Sequence, residues 1–225
     1  WICSRYDRHG NAKQTNLVST DYDGCSCTNN RKRAKKRAER TRSVAGKRLS
    51  LQRNTTPRRH IVKRPPFKNI PITNFDIQNW VEYLKIPNFG GVISRDQIKD
   101  CIPRHSFVIN LNESDEPGSH WVAMFFGSDL ILYFDSFGLA PPQEVLMLCE
   151  KHRVGYTFNN AHYQEFTSVL CGYYCLFFLN EISRRMKPHL AHQSLYSVFN
   201  EVTEPLSYSD TFSNERFIKK YFKEV

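Results

Sequence analysis

The sequence lacks an apolar run of about 18 residues, which is the length that a helix needs to cross a bilayer. We therefore predict no spanning helix and no membrane partner. The sequence also lacks a regular cysteine pattern. Its seven cysteines are an odd number, and Cys25 and Cys27 with Cys3 and His9 match no structural zinc spacing. We expect no metal site and no disulfide framework, but free thiols in a reducing intracellular compartment.

Acidic residues and apolar periodicity are both scarce in residues 1–70. The first 64 residues hold 18 Lys and Arg against 4 Asp and Glu, whereas residues 65–225 hold 14 against 18. A Pro-Pro pair and Pro71 mark an extended linker before the apolar part begins. These features predict a basic, disordered arm with a proline-rich linker over 1–70, followed by a folded domain over 71–225.

The positive charge of the arm is concentrated in one run. Such a run can neutralise several phosphates of DNA or serve as a nuclear-import signal, and a merely solvated tail is the alternative. We expect DNA to be a partner of the arm if the first function applies. The residues concerned are Arg31, Lys32, Arg33, Lys35, Lys36 and Arg37.

Residues 71–225 carry the periodicity of a folded core. Thr73 or Asn74 can cap a first helix and Ser94 a short second one, while Gly90-Gly91 predicts a turn. Gly127-Ser128 predicts a hairpin turn between two strands. We predict helices at 74–84, 95–102, 141–152, 171–185, 193–201 and 214–223, and strands at 106–110, 120–126, 129–135 and 154–158. This pattern indicates an α+β fold with a central, mostly antiparallel sheet flanked by helices.

Cys171 begins the strongly apolar helix predicted at 171–185. A thiol at a helix N-terminus meets the helix's free N–H groups and the positive end of its dipole, and both favour the reactive thiolate. Gly172 next to it allows a substrate to approach the backbone closely. The alternative is a small buried residue without chemistry, since free cysteines are often buried.

His120 and Asp135 fall at the two open ends of the predicted hairpin. If residues 127 and 128 form a two-residue loop, residue 120 lies opposite residue 135. The Asp135 carboxylate can then orient the His120 imidazole and stabilise its charged form, while His120 acts as general base and then acid. The alternatives are an ordinary strand-end histidine and an aspartate that starts a turn.

Two further residues are candidates for supporting roles. Gln164 precedes Cys171 by seven residues, and its side-chain amide, together with the Cys171 backbone N–H, could stabilise an oxyanion. Trp121 lies on the opposite strand face from His120 and is a candidate to line or support the substrate cleft.

These motifs, taken together, resemble the adenovirus protease (adenain) family, which shares a clan with the ubiquitin-like-protein (SUMO) proteases. The order His, acid, Gln, Cys is that of the clan and reverses the cysteine-first order of papain. The spacing from Gln164 to Cys171 and the stretch at 89–94 are more like the viral branch. The resemblance covers about residues 74–186. The matching elements are His120-Trp121, Phe134-Asp135-Ser136-Phe137-Gly138, Gln164, and Cys171-Gly172 with Cys175.

The resemblance implies a cysteine endopeptidase that processes precursor proteins of a virion, often at Gly-containing sites. It implies a protein substrate, a host nucleus or a virion as the location, and an origin in a large DNA virus or a Maverick/Polinton-type element. No cofactor is predicted for the chemistry, although the resemblance implies DNA or a peptide as an activator. Asp135 stands where adenoviral enzymes usually carry Glu. Cys149 is the nearest candidate for the cysteine that binds their activating peptide, at a different spacing.

Two other functions compete with precursor processing. The first is a protease that removes ubiquitin or a SUMO-like modifier from proteins. The second is a nucleic-acid-binding packaging protein in which the protease-like domain is an inactive scaffold. DNA binding by residues 1–64 without thiol reactivity at Cys171 would favour the packaging protein over a protease.

Overall fold

A computed structural model of the chain describes residues 62–186 and 194–225. The predicted basic run at 31–37 and its role toward DNA or nuclear import lie outside these residues. Among the residues described, no helix combines the length and the apolar character needed to cross a bilayer.

The described chain contains five α-helices, a 3-10 helix and five strands. The helices are α1 (Asn74–Leu84), α2 (Gln143–His152), α3 (Cys171–Arg185), α4 (Leu195–Thr203) and α5 (Thr211–Glu224), with the 3-10 helix at Arg95–Asp100. The strands are β1 (Phe89–Ser94), β2 (His105–Asn110), β3 (Trp121–Phe126), β4 (Leu130–Phe134) and β5 (Gly155–Phe158). The predicted α+β class is confirmed.

The five strands form one sheet in the order β1-β2-β3-β4-β5. The two central pairings, β2 with β3 and β3 with β4, are antiparallel. The two outer pairings, β1 with β2 and β4 with β5, are parallel. The sheet is therefore mixed rather than mostly antiparallel. Each parallel pair is joined by a helical crossover, through the 3-10 helix or through α2, as parallel strands require.

Gly90 and Gly91 lie in β1 and not in the predicted turn. The ladder between β1 and β2 is irregular between Phe89 and Gly91, and Gly91 has a φ of 140° that favours glycine. A Cβ on Gly90 would lie 2.2 Å from the ring of Phe107 on β2. The glycines therefore serve a close strand-to-ring contact and a bulge, not a chain reversal.

Both faces of the sheet are covered by helices. One face packs against α1, α3, α4 and α5, and the other packs against the 3-10 helix and α2. Neighbouring residues of the central strands point to opposite faces, as strand geometry requires. The α3 face carries Val108, Ala123, Leu132 and Phe134. The α2 face carries Phe107, Ile109, Val122, Met124, Phe126, Ile131 and Tyr133.

Helix α3 runs along the centre of the first face, with the bounds that the sequence predicts. Ten of its 15 residues are buried. Arg184 and Arg185 lie in its last turn and both pair with Glu181, which suits the negative end of the helix dipole. The packed body of α3 fixes the position of its first residue, Cys171.

The segment before α1 contacts the domain directly. Phe67 packs its ring 4.7 Å from that of Tyr173 on α3, and the Lys68 N–H donates to the Tyr173 hydroxyl at 2.8 Å. Thr73 caps α1, as predicted: its hydroxyl accepts from the Asp76 N–H at 3.2 Å, and the Asp76 carboxylate accepts from the Thr73 N–H at 3.0 Å. The path of the chain into α1 is therefore fixed at several points.

We predict that Gly90→Ala destabilises the fold by roughly 1–3 kcal/mol, because its methyl group would overlap the Phe107 ring. Gly155→Ala is the matched control on β5, where the new methyl meets only the end of the Leu130 side chain at 3.3 Å. Urea unfolding of both variants measures the difference. Equal losses in free energy of unfolding would contradict the role assigned to Gly90.

Candidate active site

Cys171 is the first residue of α3 and is partly exposed. The residue before it, Leu170, offers no side-chain cap to the helix. The Tyr173 N–H donates to the Leu170 carbonyl at 2.8 Å, whereas the Cys171 and Gly172 N–H groups have no carbonyl one turn earlier in the helix. The position combines access for a substrate with the positive end of a 15-residue helix.

His120 joins Cys171 to Asp135. The Nε2 atom of His120 lies 2.8 Å from Oδ1 of Asp135, which is fully buried. The Cys171 side chain also acts on the His120 ring and helps to raise the pKa of the imidazole. Because Nε2 is engaged by Asp135, Nδ1 is the ring nitrogen that remains for the thiol. The three predicted residues therefore interact in series, with His120 in the middle.

The hairpin that brings His120 to Asp135 turns one residue later than predicted. Phe126 pairs with Ile131, and the Gly127 N–H donates to the Leu130 carbonyl at 3.0 Å, so the turn is not the two-residue Gly127-Ser128 loop. The register is thus shifted by two residues from the predicted one. A shift of two keeps every side chain on its predicted face, which is why the contact with Asp135 survives the error.

Asp135 is held from three directions. Its Oδ1 accepts a second hydrogen bond from the Phe137 N–H at 2.8 Å. Its own N–H donates to Oδ1 of Asn159 at 2.9 Å, and the Asn159 amide donates to the Asp135 carbonyl at 2.5 Å. The acid is therefore fixed by its backbone as well as by its side chain.

Sequence reasoning missed Asn159. It directly follows β5, as Asp135 directly follows β4, and these two strands are parallel neighbours. The carboxyl ends of parallel neighbours lie side by side, so a parallel pairing of β4 and β5 would have predicted the contact. The prediction of a mostly antiparallel sheet concealed it.

Gln164 is buried beside Ser136, the residue that follows Asp135, and 1% of its surface is exposed. Its Oε1 accepts from the Ser136 hydroxyl at 2.7 Å, and its Nε2 donates to the Ser168 carbonyl at 2.9 Å. A primary amide carries two N–H groups, so one remains for another acceptor. Ser136, which sequence reasoning gave no role, fixes which end of the amide is the donor.

Trp121 packs on the α3 face of the sheet. Its indole N–H donates to the Ile72 carbonyl at 3.0 Å. Gly172 is buried beneath the same segment: a Cβ there would lie 2.6 Å from Ile72 and 3.3 Å from Trp121. In the structure, a glycine at position 172 is explained by its tight packing against Ile72 and Trp121. We had expected it to allow a substrate to approach the backbone closely.

A groove of about 400 Å³ leads to Cys171. Trp121 and Ile72 form part of its wall, and Glu113 and Glu116 add negative charge to its lining, which contains no Lys or Arg. The other lining residues are Pro71, Thr73, Asn74, Val92, Ile93, Ser94, Asn110, Ser114, Gly118 and Ser119. An extended polypeptide could therefore reach the thiol from this side.

Two opposing effects set the protonation of His120. Burial alone would lower its pKa, because the charged imidazolium loses solvation. The hydrogen bonds to Asp135 and Cys171, with their negative charges, outweigh burial and raise the pKa to about 9. The ring is therefore protonated at neutral pH, which is the form that stabilises a neighbouring thiolate.

The other described thiols lie in apolar surroundings. Burial raises the pKa of Cys101 to about 12 and that of Cys149 to about 11, and it raises the pKa of Cys175 well above the ordinary value. These thiols are poor nucleophiles at neutral pH. Within the described part of the chain, no group of three His, Cys, Asp or Glu side chains is placed to hold a metal ion.

We predict that iodoacetamide labels Cys171 first among the four described cysteines at pH 7, because it is the partly exposed one and faces an imidazolium. Peptide mass mapping resolves each site. In His120→Ala the rate at Cys171 should fall about tenfold or more. Prior labelling of Cys101, Cys149 or Cys175, or a rate unaffected by His120→Ala, would contradict this assignment.

The raised pKa of His120 also predicts a pH dependence of stability. His120 is protonated in both folded and unfolded chains below pH 6.5, so its contribution is fully present there and is lost as pH rises through about 9. The difference in free energy of unfolding between wild type and His120→Gln should shrink by roughly 3 kcal/mol over this range. Urea titrations from pH 6 to 10 measure it, with His105→Gln as control. A pH-independent difference would be evidence against the charged pair.

No protein-family model matches the chain, and no curated protein matches it significantly. Similar solved structures include the ASFV pS273R protease, at 18% identity and a TM-score of 0.39, covering 60% of this chain and 67% of that one. The selenomethionine form of that protease matches at 19% identity and a TM-score of 0.36, and the match covers 60% of this chain and 68% of that one.

A third similar structure is the SUMO protease Ulp1 with its catalytic cysteine oxidised to a sulfinic acid. It shows 14% identity and a TM-score of 0.33, and the match covers 64% of this chain and 78% of that one. Both proteins are proteases. At TM-scores this low the similarities do not decide the function, which has to be inferred from the atoms of the site.

Proposed function

We propose that this chain is a cysteine endopeptidase with Cys171 as its nucleophile. The observation that carries the proposal is the His120–Asp135 hydrogen bond beside Cys171, whose side chain acts on the His120 imidazole and whose thiol lies at the start of α3 and lines a groove. A nucleophile, a base and a group that orients the base are the parts that covalent catalysis of acyl transfer needs.

The proposed reaction has two stages. The Cys171 thiolate attacks the scissile carbonyl carbon, the C–N bond breaks, and the His120 imidazolium gives its proton to the leaving amine. A water molecule then loses a proton to the neutral His120 and attacks the thioester carbonyl. The C–S bond breaks, the carboxylic acid product leaves, and the thiolate and imidazolium are restored. Asp135 holds the imidazole in one orientation through both stages.

The tetrahedral intermediates carry a negative charge on the former carbonyl oxygen. We assign its stabilisation to the Cys171 backbone N–H and to the second N–H of the Gln164 amide. The first N–H of that amide is held by Ser168, and its oxygen is held by Ser136. An amide that is already oriented loses little free energy to reorganisation when the charge appears.

The substrate in this proposal is a viral or virus-like precursor protein of a capsid or core, cut at a Gly-containing site. The motif resemblance supports this choice, and the groove can take an extended segment. The proposal also keeps DNA as a partner of the basic arm, DNA or a peptide as an activator, and the host nucleus or the virion as the location.

Cys171→Ala should lower cleavage of a Gly-Gly peptide reporter by roughly a thousand-fold or more, because the nucleophile is lost. The matched control is Cys101→Ala, which removes a buried thiol in the cluster on the other face of the sheet and should leave turnover intact. Unchanged turnover by Cys171→Ala would refute the proposal.

A second substrate arm separates the competing functions. Parallel assays with a ubiquitin or SUMO fusion reveal a deconjugating protease if only the fusions are cut. Tight, salt-sensitive DNA binding with no cleavage of either substrate, and no alkylation at Cys171, would favour the packaging protein instead.

A further inference from the structure

Phe137 contacts both partners of the His120–Asp135 hydrogen bond. Its ring stacks on the His120 imidazole, with ring centroids 4.8 Å apart and an interplanar angle of 28°. Its backbone N–H donates at 2.8 Å to Oδ1 of Asp135, the same oxygen that lies 2.8 Å from Nε2 of His120. One residue therefore touches the acid through its backbone and the base through its side chain.

The turn that carries Phe137 is itself fixed. The Gly138 N–H donates to the Asp135 carbonyl at 2.8 Å, and Gly138 has a φ of 73°, in the region that favours glycine. A Cβ on Gly138 would lie 2.6 Å from the backbone of Ala161. The turn is thus pressed against the following loop, and Phe137 has little freedom to move away from His120.

A second aromatic ring backs Phe137. The Phe166 ring lies nearly parallel to it, at 6.0 Å and 14°, and His162 packs against both rings, at 5.6 Å from Phe137 and 4.2 Å from Phe166. Phe166 is 78% exposed. The rings therefore extend from solvent inward to His120. Among the described residues, Phe137 is the only aromatic residue whose ring contacts the His120 imidazole.

We propose that Phe137 is a positioning residue of this site, whose ring fixes the plane of the His120 imidazole and shields the His120–Asp135 hydrogen bond from water. This inference rests on the proposed peptidase function. The proposed role acts through His120.

Two physical effects support this role. A ring stacked on one face of the imidazole blocks rotation about the bond that joins the imidazole to the side chain, so Nδ1 keeps pointing at the Cys171 thiol. The π face of a phenyl ring also attracts a cation that lies within about 6 Å of its centroid, and the attraction grows when water is excluded. The charged groups that act on His120 here are Asp135 and Cys171, and His162 lies behind the ring.

The test compares three variants of the full-length chain. Phe137→Leu removes the stacked ring and keeps an apolar side chain, Phe137→Tyr keeps the ring, and Phe166→Leu removes only the outer ring. Steady-state cleavage of the Gly-Gly reporter gives kcat and KM. NMR of isotopically labelled histidine gives the titration midpoint of His120, and thermal melting checks the fold.

We expect Phe137→Leu to lower kcat about tenfold with KM within about twofold of wild type, and to shift the His120 midpoint to lower pH. Phe137→Tyr should restore both quantities, and Phe166→Leu should change neither by more than about twofold. A Phe137→Leu variant with wild-type kcat and wild-type midpoint overturns the inference. So does an equal loss in all three variants, which indicates a merely structural role.

The NMR measurement keeps this test separate from that of the proposed function. If wild type cuts no peptide, the peptidase proposal fails. The His120 midpoint in Phe137→Leu then still shows whether Phe137 controls the imidazole, because that midpoint is read without turnover.

Discussion

The hydrogen bond between His120 Nε2 and Asp135 Oδ1 is the interaction on which the rest of the site depends. It fixes which ring nitrogen faces Cys171 and supplies part of the negative charge that keeps the ring protonated. A buried carboxylate is costly unless it is hydrogen-bonded. The Phe137 N–H and the His120 imidazole meet that need at Oδ1, whereas Oδ2 is buried without a hydrogen-bond partner among the described residues. The Asn159 amide bonds the backbone of Asp135 and fixes its position.

The sheet places His120, Asp135 and Asn159 at one end of its strands. His120 precedes β3, Asp135 follows β4 and Asn159 follows β5, so three consecutive strands of the sheet deliver three polar side chains to the same end. Helix α3 crosses one face of the sheet and presents Cys171 there. The arrangement needs no long loop for the base or the acid, and packed strands position side chains more accurately than loops do.

Local patterns predicted what depends on local chemistry. The apolar run and its basic last turn determined the bounds of α3, and the Thr73 cap determined the start of α1. The sequence predicted which face of the sheet each residue of β3 and β4 points to, even though the predicted position of the turn was wrong, because a two-residue shift in register leaves the faces unchanged. The meeting of His120 and Asp135 could therefore be predicted without the correct turn.

What the sequence could not predict depends on distant contacts. Gly90-Gly91 has the composition of a turn, but the contact with Phe107 makes it part of a strand. The outer strand pairs are parallel because helices intervene, and nothing local reveals whether a connection reverses or crosses over. The roles of Ser136 and Asn159 appear only when their partners, Gln164 and Asp135, are placed beside them.

The bonds of Ile72 have a mechanical consequence. Its carbonyl holds the Trp121 indole and its side chain covers Gly172, so a single residue just before α1 joins the groove wall to the helix of the nucleophile. The stretch that leads to it is bound to α3 through Phe67 and Lys68. The width of the groove is thus set partly by the length of chain between Lys68 and Ile72, and one residue added or removed there would reshape the groove without altering Cys171, His120 or Asp135.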